Sequence, residues 1–346
     1  MNVGDTLKKF LSVHGISGLE DNVATLMKKE LKGKVKKIYE DKVGNVISVK
    51  GSGKLKVLLT AHMDEVGLVV SDIGNDGFIR FAPVGGVDPK ILPSRQVKIH
   101  TEKGVVNGVI ATKTVHVQKK EELEKAYEIK DLFIDVGADD KKSVEKLGIN
   151  IGDFIEFSEK FIDLHGRRIS GRCLDNRVGC TVLTEVMKSI NPRNLTVYGV
   201  GTVQEEIGLK GARGPMFGID SDVIVSIDVE ISGDTPFLKD EHIPLKLDRG
   251  PVIGIRDSSY TIDKRLKKLF LDAAKKYKIP YQLGVSTAGT TESTLAILTK
   301  DGKPGALIGV PVRYMHSTVE VVDLNDIENT VKLVVKALGN INKYFR

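Results

Sequence analysis

Histidine and acidic residues that could bind a metal stand at several widely separated places in this chain. Six of them end an apolar run or come within a few residues of its end: His62, Asp64, Glu205, Glu206, Asp228 and His316. Short apolar runs rich in β-branched residues are typical of buried strands in a parallel sheet. Because ligands bind at the carboxyl ends of such strands, we expect these side chains to converge at one edge of the sheet.

Imidazole and carboxylate groups together are suitable ligands for zinc or cobalt. Asp175, which precedes a helix predicted over 176–190, adds a carboxylate that could bridge two ions with its two oxygens. The carboxylates of Asp175, Glu206 and Asp228, together with a bridging hydroxide, would offset the charge of two divalent ions. The sequence therefore predicts a site for two divalent metal ions per chain, Zn²⁺ or Co²⁺.

Glu205 and Glu206 are adjacent carboxylates at the end of a predicted strand over 195–203. Two neighbouring carboxylates are costly at such a place unless a positive charge neutralises them. Because adjacent strand residues face opposite ways, we expect the two to differ in role, one as a metal ligand and one as a proton-transferring base. A solvated turn containing Gly208 is the alternative interpretation.

The other residues of this set also have purely structural interpretations. Asp64 could orient His62, as a carboxylate often does for a metal-binding histidine, or the two could form an ordinary hydrogen-bonded pair. Asp175 could cap the following helix, Asp228 could belong to a turn, and His316 could be a buried histidine with satisfied hydrogen bonds. The occurrence of all of them together, mostly at predicted strand ends, favours a metal site. The remaining histidines, which lack a carboxylate partner at a strand end, are interpreted as structural or surface residues: His14, His100, His116, His165 and His242.

Length and composition indicate an ordinary globular protein of two domains. A chain of 346 residues exceeds what one core usually fills, and 41% hydrophobic and 28% charged residues are typical of a globular fold. The apolar runs are too short to cross a membrane, and no signal peptide is visible at the N-terminus. Since only Cys173 and Cys180 are present, we expect a cytoplasmic protein without disulfides and without a membrane partner.

The charge balance bears on possible nucleic-acid binding. The chain carries 52 basic and 46 acidic residues, for a formal net charge of +6. There is no basic arm, no Trp and no aromatic stacking motif, so we interpret the excess as a charged surface and expect no nucleic-acid partner. If the protein is not an enzyme, the alternative interpretation is a basic nucleic-acid-binding protein.

The predicted elements change in character along the chain. Helices and apolar strands alternate at both ends, which favours an α/β domain with a mixed, mostly parallel sheet flanked by helices. Between about residues 67 and 157 come short strands broken by Gly, Pro and Asn-Asp turns. We therefore predict a small β-rich domain over 66–159, inserted between 1–65 and 160–346.

Six segments carry a resemblance to a known family. They are Thr60–Gly67, Pro83–Gly86, Leu174–Arg177, Val203–Leu209, Ile227–Val229 and Pro311–Ser317. At these segments, and through nearly the whole chain, the sequence resembles the M42 metallo-aminopeptidases, which are self-compartmentalising tetrahedral aminopeptidases. The resemblance implies a metallo-aminopeptidase that takes peptides with a free N-terminus.

The resemblance also implies an architecture and a set of roles. Residues 1–65 and 160–346 would form a zinc-peptidase-like catalytic domain, and 66–159 a PDZ-like dimerisation domain, with dimers building a hollow tetrahedral dodecamer. The implied roles are His62 and Asp228 on one metal, Glu206 and His316 on the other, Asp175 as the bridge, Glu205 as general base and Asp64 as the residue that orients His62.

Two places in the chain depart from the family pattern. This chain has Thr291–Glu292 where Asp-Ala is common, and Glu230 where a Thr is common. Glu230 shares a strand face with Asp228 and could therefore line the substrate cavity, where it would repel acidic side chains and could bind a cationic side chain or the substrate ammonium. Neutralisation by Arg213, Arg256 or Arg313 would instead leave a neutral or acid-tolerant pocket. The resemblance therefore leaves the preferred N-terminal residue open.

Two further enzyme classes remain as alternatives. A metal-dependent deacylase or a carboxypeptidase-like hydrolase would use the same ligands as an aminopeptidase. A glycosidase would use paired carboxylates, which flank the sugar from positions about 5–10 Å apart. The adjacent Glu205 and Glu206 do not obviously provide that arrangement.

Overall fold

The computed structural model describes residues 2–236, 238 and 243–345. The helices are α1 (Val3–Leu11), α2 (Asp21–Leu31), α3 (Lys120–Leu123), α4 (Lys141–Lys146), α5 (Leu174–Ser189), α6 (Arg213–Gly218), α7 (Lys264–Tyr277), α8 (Thr294–Leu298) and α9 (Leu324–Leu338). The first nine strands are β1 (Lys37–Glu40), β2 (Val46–Gly51), β3 (Leu55–His62), β4 (Gly67–Ile73), β5 (Ile79–Val84), β6 (Gln96–Thr101), β7 (Gly104–Ala111), β8 (Phe133–Asp135) and β9 (Phe154–Phe157). The others are β10 (Ile162–Asp163), β11 (Arg168–Gly171), β12 (Leu195–Thr202), β13 (Val223–Ile231), β14 (Val252–Arg256), β15 (Gln282–Val285), β16 (Gly305–Val312) and β17 (Glu320–Asp323).

A mixed sheet forms the centre of the α/β part. Among the described residues its eight strands lie in the order β1-β2-β12-β3-β13-β16-β14-β15. The neighbours β12, β3, β13 and β16 are parallel, whereas antiparallel pairings join β2 to β12 and β14 to β16. The predicted α/β class is confirmed, and the parallel strands are the central ones that carry the apolar runs.

The central strands are apolar because both faces of the sheet are covered. In β3, Val57 and Leu59 pack into the main core with α5 and α9, whereas Leu58 faces the opposite side with residues of α6 and α8. All residues of β16 are buried. A strand covered on both faces shows a continuous apolar run rather than alternation, which is the pattern present in the sequence.

The middle of the chain forms a closed barrel. Its six strands are arranged in the order β4-β5-β8-β7-β6-β9, and they surround a core separate from that of the sheet. Leu68, Ile79, Ile99 and Ile155 are fully buried in it. The prediction of a β-rich unit here is thus confirmed as a barrel, while the domain bounds 66–159 and a PDZ-like relationship remain predictions.

A buried ion network joins the barrel to the segment after β3. Arg177 in α5 is fully buried, donates to the Met63 carbonyl and lies 2.9 Å from a Glu65 carboxylate oxygen. Arg172 pairs with Glu65 and also with Glu156 of β9, at 3.3 Å. Buried charges of opposite sign are therefore matched at the place where the chain passes from the sheet into the barrel.

The helices bear on the question of a membrane. In the part of the chain that the structure describes, none of them combines the length and apolarity that crossing a bilayer would require.

Candidate metal centre and active site

One cavity collects the predicted metal ligands and the predicted base. It has a volume of about 710 Å³ and opens at the carboxyl edge of the parallel strands. Six of the seven predicted site residues line it: His62, Asp175, Glu205, Glu206, Asp228 and His316. The seventh, Asp64, is completely buried behind them. The structure therefore brings together side chains that lie up to about 250 positions apart in sequence, as we expect for a topological edge site.

The local backbone differs from the expectation at two places. Strand β12 ends at Thr202, and Gln204 has φ 54°, so Glu205 and Glu206 lie in a turn rather than on a strand. The assumption that the two carboxylates face opposite ways is therefore wrong, since both line the same cavity. His316 also lies beyond its strand, in a loop, with φ 60°.

Asp175 stands between the two histidines. One of its oxygens lies 3.1 Å from Nε2 of His62, and the other lies 3.4 Å from Nε2 of His316. The carboxylate is positioned at the start of α5, where Asp175 itself has a non-helical backbone. A carboxylate that presents one oxygen to each imidazole has the geometry of a bridge between two neighbouring sites.

A further carboxylate accompanies each histidine. Asp228 Oδ1 lies 3.6 Å from Nε2 of His62, and Glu206 Oε2 lies 3.5 Å from Nε2 of His316. A carboxylate oxygen of Glu205 lies within 4.8 Å of donor atoms on both His62 and Asp228. Glu205 thus lies near His62 and Asp228, whereas Glu206 lies near His316 and also within reach of His62.

Asp64 connects the histidine to the turn with the two glutamates. Its Oδ1 lies 3.4 Å from Nδ1 of His62, and its two oxygens accept the backbone N–H groups of Glu205 and Glu206, each at 3.0 Å. The Ser17 hydroxyl donates a further hydrogen bond to it. Burial alone would raise the pKa of Asp64. The hydrogen bonds from His62, Ser17 and the backbone of Glu205 nevertheless hold this pKa below its usual value. Asp64 is therefore an anion that fixes both His62 and the turn.

Glu320 is a site residue that the sequence reasoning missed. It is buried in β17, and its carboxylate accepts the backbone N–H of Asp175 at 3.0 Å and that of His316 at 2.8 Å. Burial, and then the nearby Asp175, raise its pKa well above the usual range. The available signal was a single carboxylate within the apolar run Thr318–Val322. Such a residue needs buried partners, and here they are backbone amides.

The centre has more negative charge than its own imidazoles balance. Burial and the surrounding carboxylates raise the pKa values of Glu205, Glu206 and Asp228. The hydrogen bond between His316 and Asp175 raises the pKa of the His316 imidazole to about 10. Burial is the larger cause for the three carboxyls, and the contribution of the neighbouring carboxylates to both changes indicates a negative potential in the cavity. Divalent cations would relieve it.

The donor set fits such cations. Two imidazoles and carboxylates at short mutual distances are the ligands that zinc and similar ions prefer. The donor atoms of His62, Asp175 and Glu206 lie within 4.8 Å of one another, and so do those of His62, Glu205 and Asp228. Nδ1 of His62 faces Asp64, and Nδ1 of His316 faces the Gly86 carbonyl at 3.0 Å, which leaves each Nε2 directed into the centre.

Comparison with known proteins identifies the family. The model of the M42 glutamyl aminopeptidases matches residues 44–333. The chain belongs to the M42 peptidase family. The prediction of a peptidase enzyme of this family is thereby confirmed.

Relatives of this M42 peptidase align over nearly their whole length. A lysyl aminopeptidase of Pyrococcus furiosus is 35% identical over 339 residues, which cover 96% of each protein. The solved structure of an aminopeptidase from the archaeon Desulfurococcus kamchatkensis has a TM-score of 0.94 and 38% identity, over 98% of this chain and 95% of that chain. The Pyrococcus horikoshii TET1 peptidase, described as able to assemble into a tetrahedron or a large octahedral shell, has a TM-score of 0.87 and 33% identity, over 97% and 99%.

The positions at which this M42 peptidase departs from the family pattern lie in different surroundings. Glu230 and Thr291 line the cavity, whereas Glu292 is buried and accepts a hydrogen bond from the Thr202 hydroxyl at 2.5 Å. Burial, followed by Asp228 and Asp257, raises the pKa of Glu230 to about 7. Of the two departures, Glu230 therefore brings a new carboxylate to the cavity.

A second group of possible metal ligands lies at the junction with the barrel. His14, His100 and Glu156 have donor atoms within 4.8 Å of one another, and Nε2 of His100 lies 2.8 Å from Glu156. The statement that His100 lacks a carboxylate partner is thus wrong, because the partner comes from the neighbouring strand. Lys98 and Arg172 already neutralise Glu156, at 3.2 and 3.3 Å, so a cation is disfavoured here and a structural role fits. His242 lies outside the described residues.

Proposed function

We propose that this M42 peptidase is a dinuclear metal-dependent aminopeptidase that removes N-terminal residues from peptides. The observation that carries the proposal is Asp175, whose two oxygens face His62 and His316 at 3.1 and 3.4 Å. A carboxylate shared by two histidines, each with a further carboxylate beside it, supports two adjacent ion sites rather than one.

The proposed ligands divide into two sets around the bridge. His62 and Asp228 would hold one ion, Glu206 and His316 would hold the other, and Asp175 would contact both. When bound, the two ions would supply Lewis acidity, which polarises the scissile carbonyl and lowers the pKa of a water molecule. Zn²⁺ and Co²⁺ both suit these ligands.

We assign the proton transfers to Glu205. Its carboxylate would take a proton from the attacking water as the water oxygen bonds to the carbonyl carbon. The same proton would then pass to the amine as the C–N bond breaks, so that one carboxylate serves both steps. A hydrogen bond from the backbone N–H of Glu205 to the Asp64 carboxylate holds Glu205 in place for this role.

The assembly is part of the proposal. The barrel has its own core and contributes none of the predicted metal ligands, which supports 66–159 as a dimerisation domain and 1–65 with 160–346 as the catalytic domain. By analogy with the TET1 relative, we propose that dimers of this chain build a tetrahedral dodecamer.

Replacing residues 67–157 with a short linker should reduce the oligomer while leaving a folded α/β domain. The reason is that the barrel and sheet cores are separate, so the sheet core keeps its packing. Light scattering would measure particle mass, circular dichroism would check folding, and the full chain at equal concentration is the control. A dodecamer in the shortened chain would contradict this role for the barrel.

Aminoacyl and N-acetylated substrates compared side by side test the function. We expect hydrolysis of unblocked leucyl and lysyl chromogenic substrates, and of peptides from their N-terminus. The rate of hydrolysis on the acetylated forms should be at least about 100-fold lower, because a blocked amine loses charge-assisted interactions. Equal cleavage of acetylated substrates would support the deacylase, and release of C-terminal residues the carboxypeptidase. Salt-dependent retention on DNA without hydrolysis would support a nucleic-acid-binding protein.

A further inference from the structure

The cavity extends beyond the metal centre to two other carboxylates. Glu230 lies two positions after Asp228 on β13, and Asp257 comes directly after β14. Two strand residues span about 6–7 Å, so Glu230 lies beside the metal centre rather than in it. Neither residue belongs to the proposed ligand sets, and the proposed mechanism does not use them.

Glycine provides the space in which the Glu230 side chain lies. A Cβ placed on Gly309 of the neighbouring strand β16 would come within 2.4 Å of Glu230 Cγ. A Cβ placed on Gly284 of β15 would lie 3.7 Å from Glu230 Oε1. The side chain therefore crosses over β16 toward the outer strands of the sheet.

No described basic residue neutralises Glu230. Among the described residues that line the cavity there is neither a Lys nor an Arg. Arg313 is paired with Asp234, at 2.8 and 2.5 Å, and both Arg213 and Arg256 are exposed without lining the cavity. The three arginines that could have cancelled this carboxylate are thus engaged or directed elsewhere.

Asp257 lines the same cavity and has one carboxylate oxygen without a hydrogen-bond partner among the described residues. Its Oδ1 accepts the backbone N–H of Ser259 at 2.8 Å, but its buried Oδ2 has no hydrogen-bond partner in the part of the chain that is described. The residue is only 7% exposed. A buried carboxylate oxygen without a partner is costly, so the Asp257 carboxylate has unused hydrogen-bonding capacity at the cavity wall.

Apolar side chains line part of the same cavity. Ile231, Leu245, Val285 and Leu307 contribute to it. Lysine and arginine bury their methylene stems against apolar surface and direct the charged end to a polar partner. A cavity that combines apolar side chains with two carboxylates suits such a side chain.

We propose that Glu230 and Asp257 form an anionic subsite that binds the cationic side chain of an N-terminal lysine or arginine. This inference rests on the proposed function, because it places the first residue of the peptide with its scissile bond at the metal centre. A lysine ammonium or an arginine guanidinium would satisfy both carboxylates. A leucyl side chain would leave them unpaired, and a glutamyl side chain would be repelled.

Kinetics on four unblocked substrates test the subsite. The native enzyme should show kcat/KM for lysyl and arginyl substrates at least about 10-fold above leucyl, with glutamyl lowest. Glu230→Gln and, separately, Asp257→Asn should each lower the lysyl-to-leucyl ratio by about 10- to 100-fold, since each removes a charge-assisted hydrogen bond. The loss should fall mainly on KM, and metal content should be unchanged. Calorimetry with free lysine and free leucine, which have no scissile bond, measures the same preference without turnover.

Glu292→Gln is the control, because Glu292 is a buried carboxyl in the same domain that does not line the cavity. Its lysyl-to-leucyl ratio should equal that of the native enzyme. An active enzyme with no preference for basic residues, or with ratios unchanged by both Glu230→Gln and Asp257→Asn, would overturn the subsite and leave the aminopeptidase proposal standing. If no unblocked substrate is hydrolysed, the proposed function fails, and the subsite fails with it.

Discussion

Glu205→Gln should lower kcat on an unblocked aminoacyl substrate by about 10²–10⁴-fold, which is the usual contribution of a positioned general base. Glutamine keeps the size of the side chain, and the backbone N–H of residue 205 can still donate to Asp64. The turn should therefore survive while the proton acceptor is lost. Initial rates at saturating substrate, together with metal content by elemental analysis, measure the effect.

Glu206→Ala is the informative counterpart, because Glu206 is adjacent in sequence and lies in the same turn. Its carboxylate lies 3.5 Å from Nε2 of His316, so its removal should reduce metal occupancy at one of the two ion sites. Glu205→Gln should instead retain both ions. Each glutamate lies near a histidine of the centre. If Glu205→Gln lost metal and Glu206→Ala retained it, Glu205 would be the ligand and Glu206 the general base.

The convergence of the site could be predicted because it depends on local patterns. The runs that precede His62 and Asp228 are short and almost entirely apolar, as in strands buried on both faces. The carboxyl ends of parallel strands meet at one edge of the sheet. The helix after Asp175 and the turn-rich character of the barrel segment are likewise properties of neighbouring residues. These parts of the fold required no knowledge of distant contacts.

Other parts of the site depend on pairings that local patterns do not contain. Glu320 supports Asp175 across 145 positions, and Arg177 reaches Glu65 across 112. The left-handed backbone at Gln204, a residue type without a strong preference for it, turns both glutamates into one cavity. Closure of the barrel depends on which strands pair, since an alternating pattern gives the face of a strand but not its neighbour.

Removal of divalent ions should abolish hydrolysis, and addition of Zn²⁺ or Co²⁺ should restore it. The physical reason is the crowding of carboxylates around Asp175, which the imidazoles of His62 and His316 do not balance. We expect about two ions per chain in the restored enzyme by elemental analysis. Full activity in a preparation shown to be free of metal would exclude the proposed mechanism.

His316→Ala and His62→Ala then separate two ions from one. If Asp175 bridges two sites, loss of His316 should leave the set of His62 and Asp228 able to retain about one ion per chain, with hydrolysis largely lost. Loss of His62 should in turn leave Glu206 and His316 to retain the other ion. His165→Ala, at an exposed histidine that does not line the cavity, should keep native metal content and activity. A single ion in the native enzyme, lost completely in either site variant, would instead indicate one mononuclear centre, with Asp175 as an ordinary ligand.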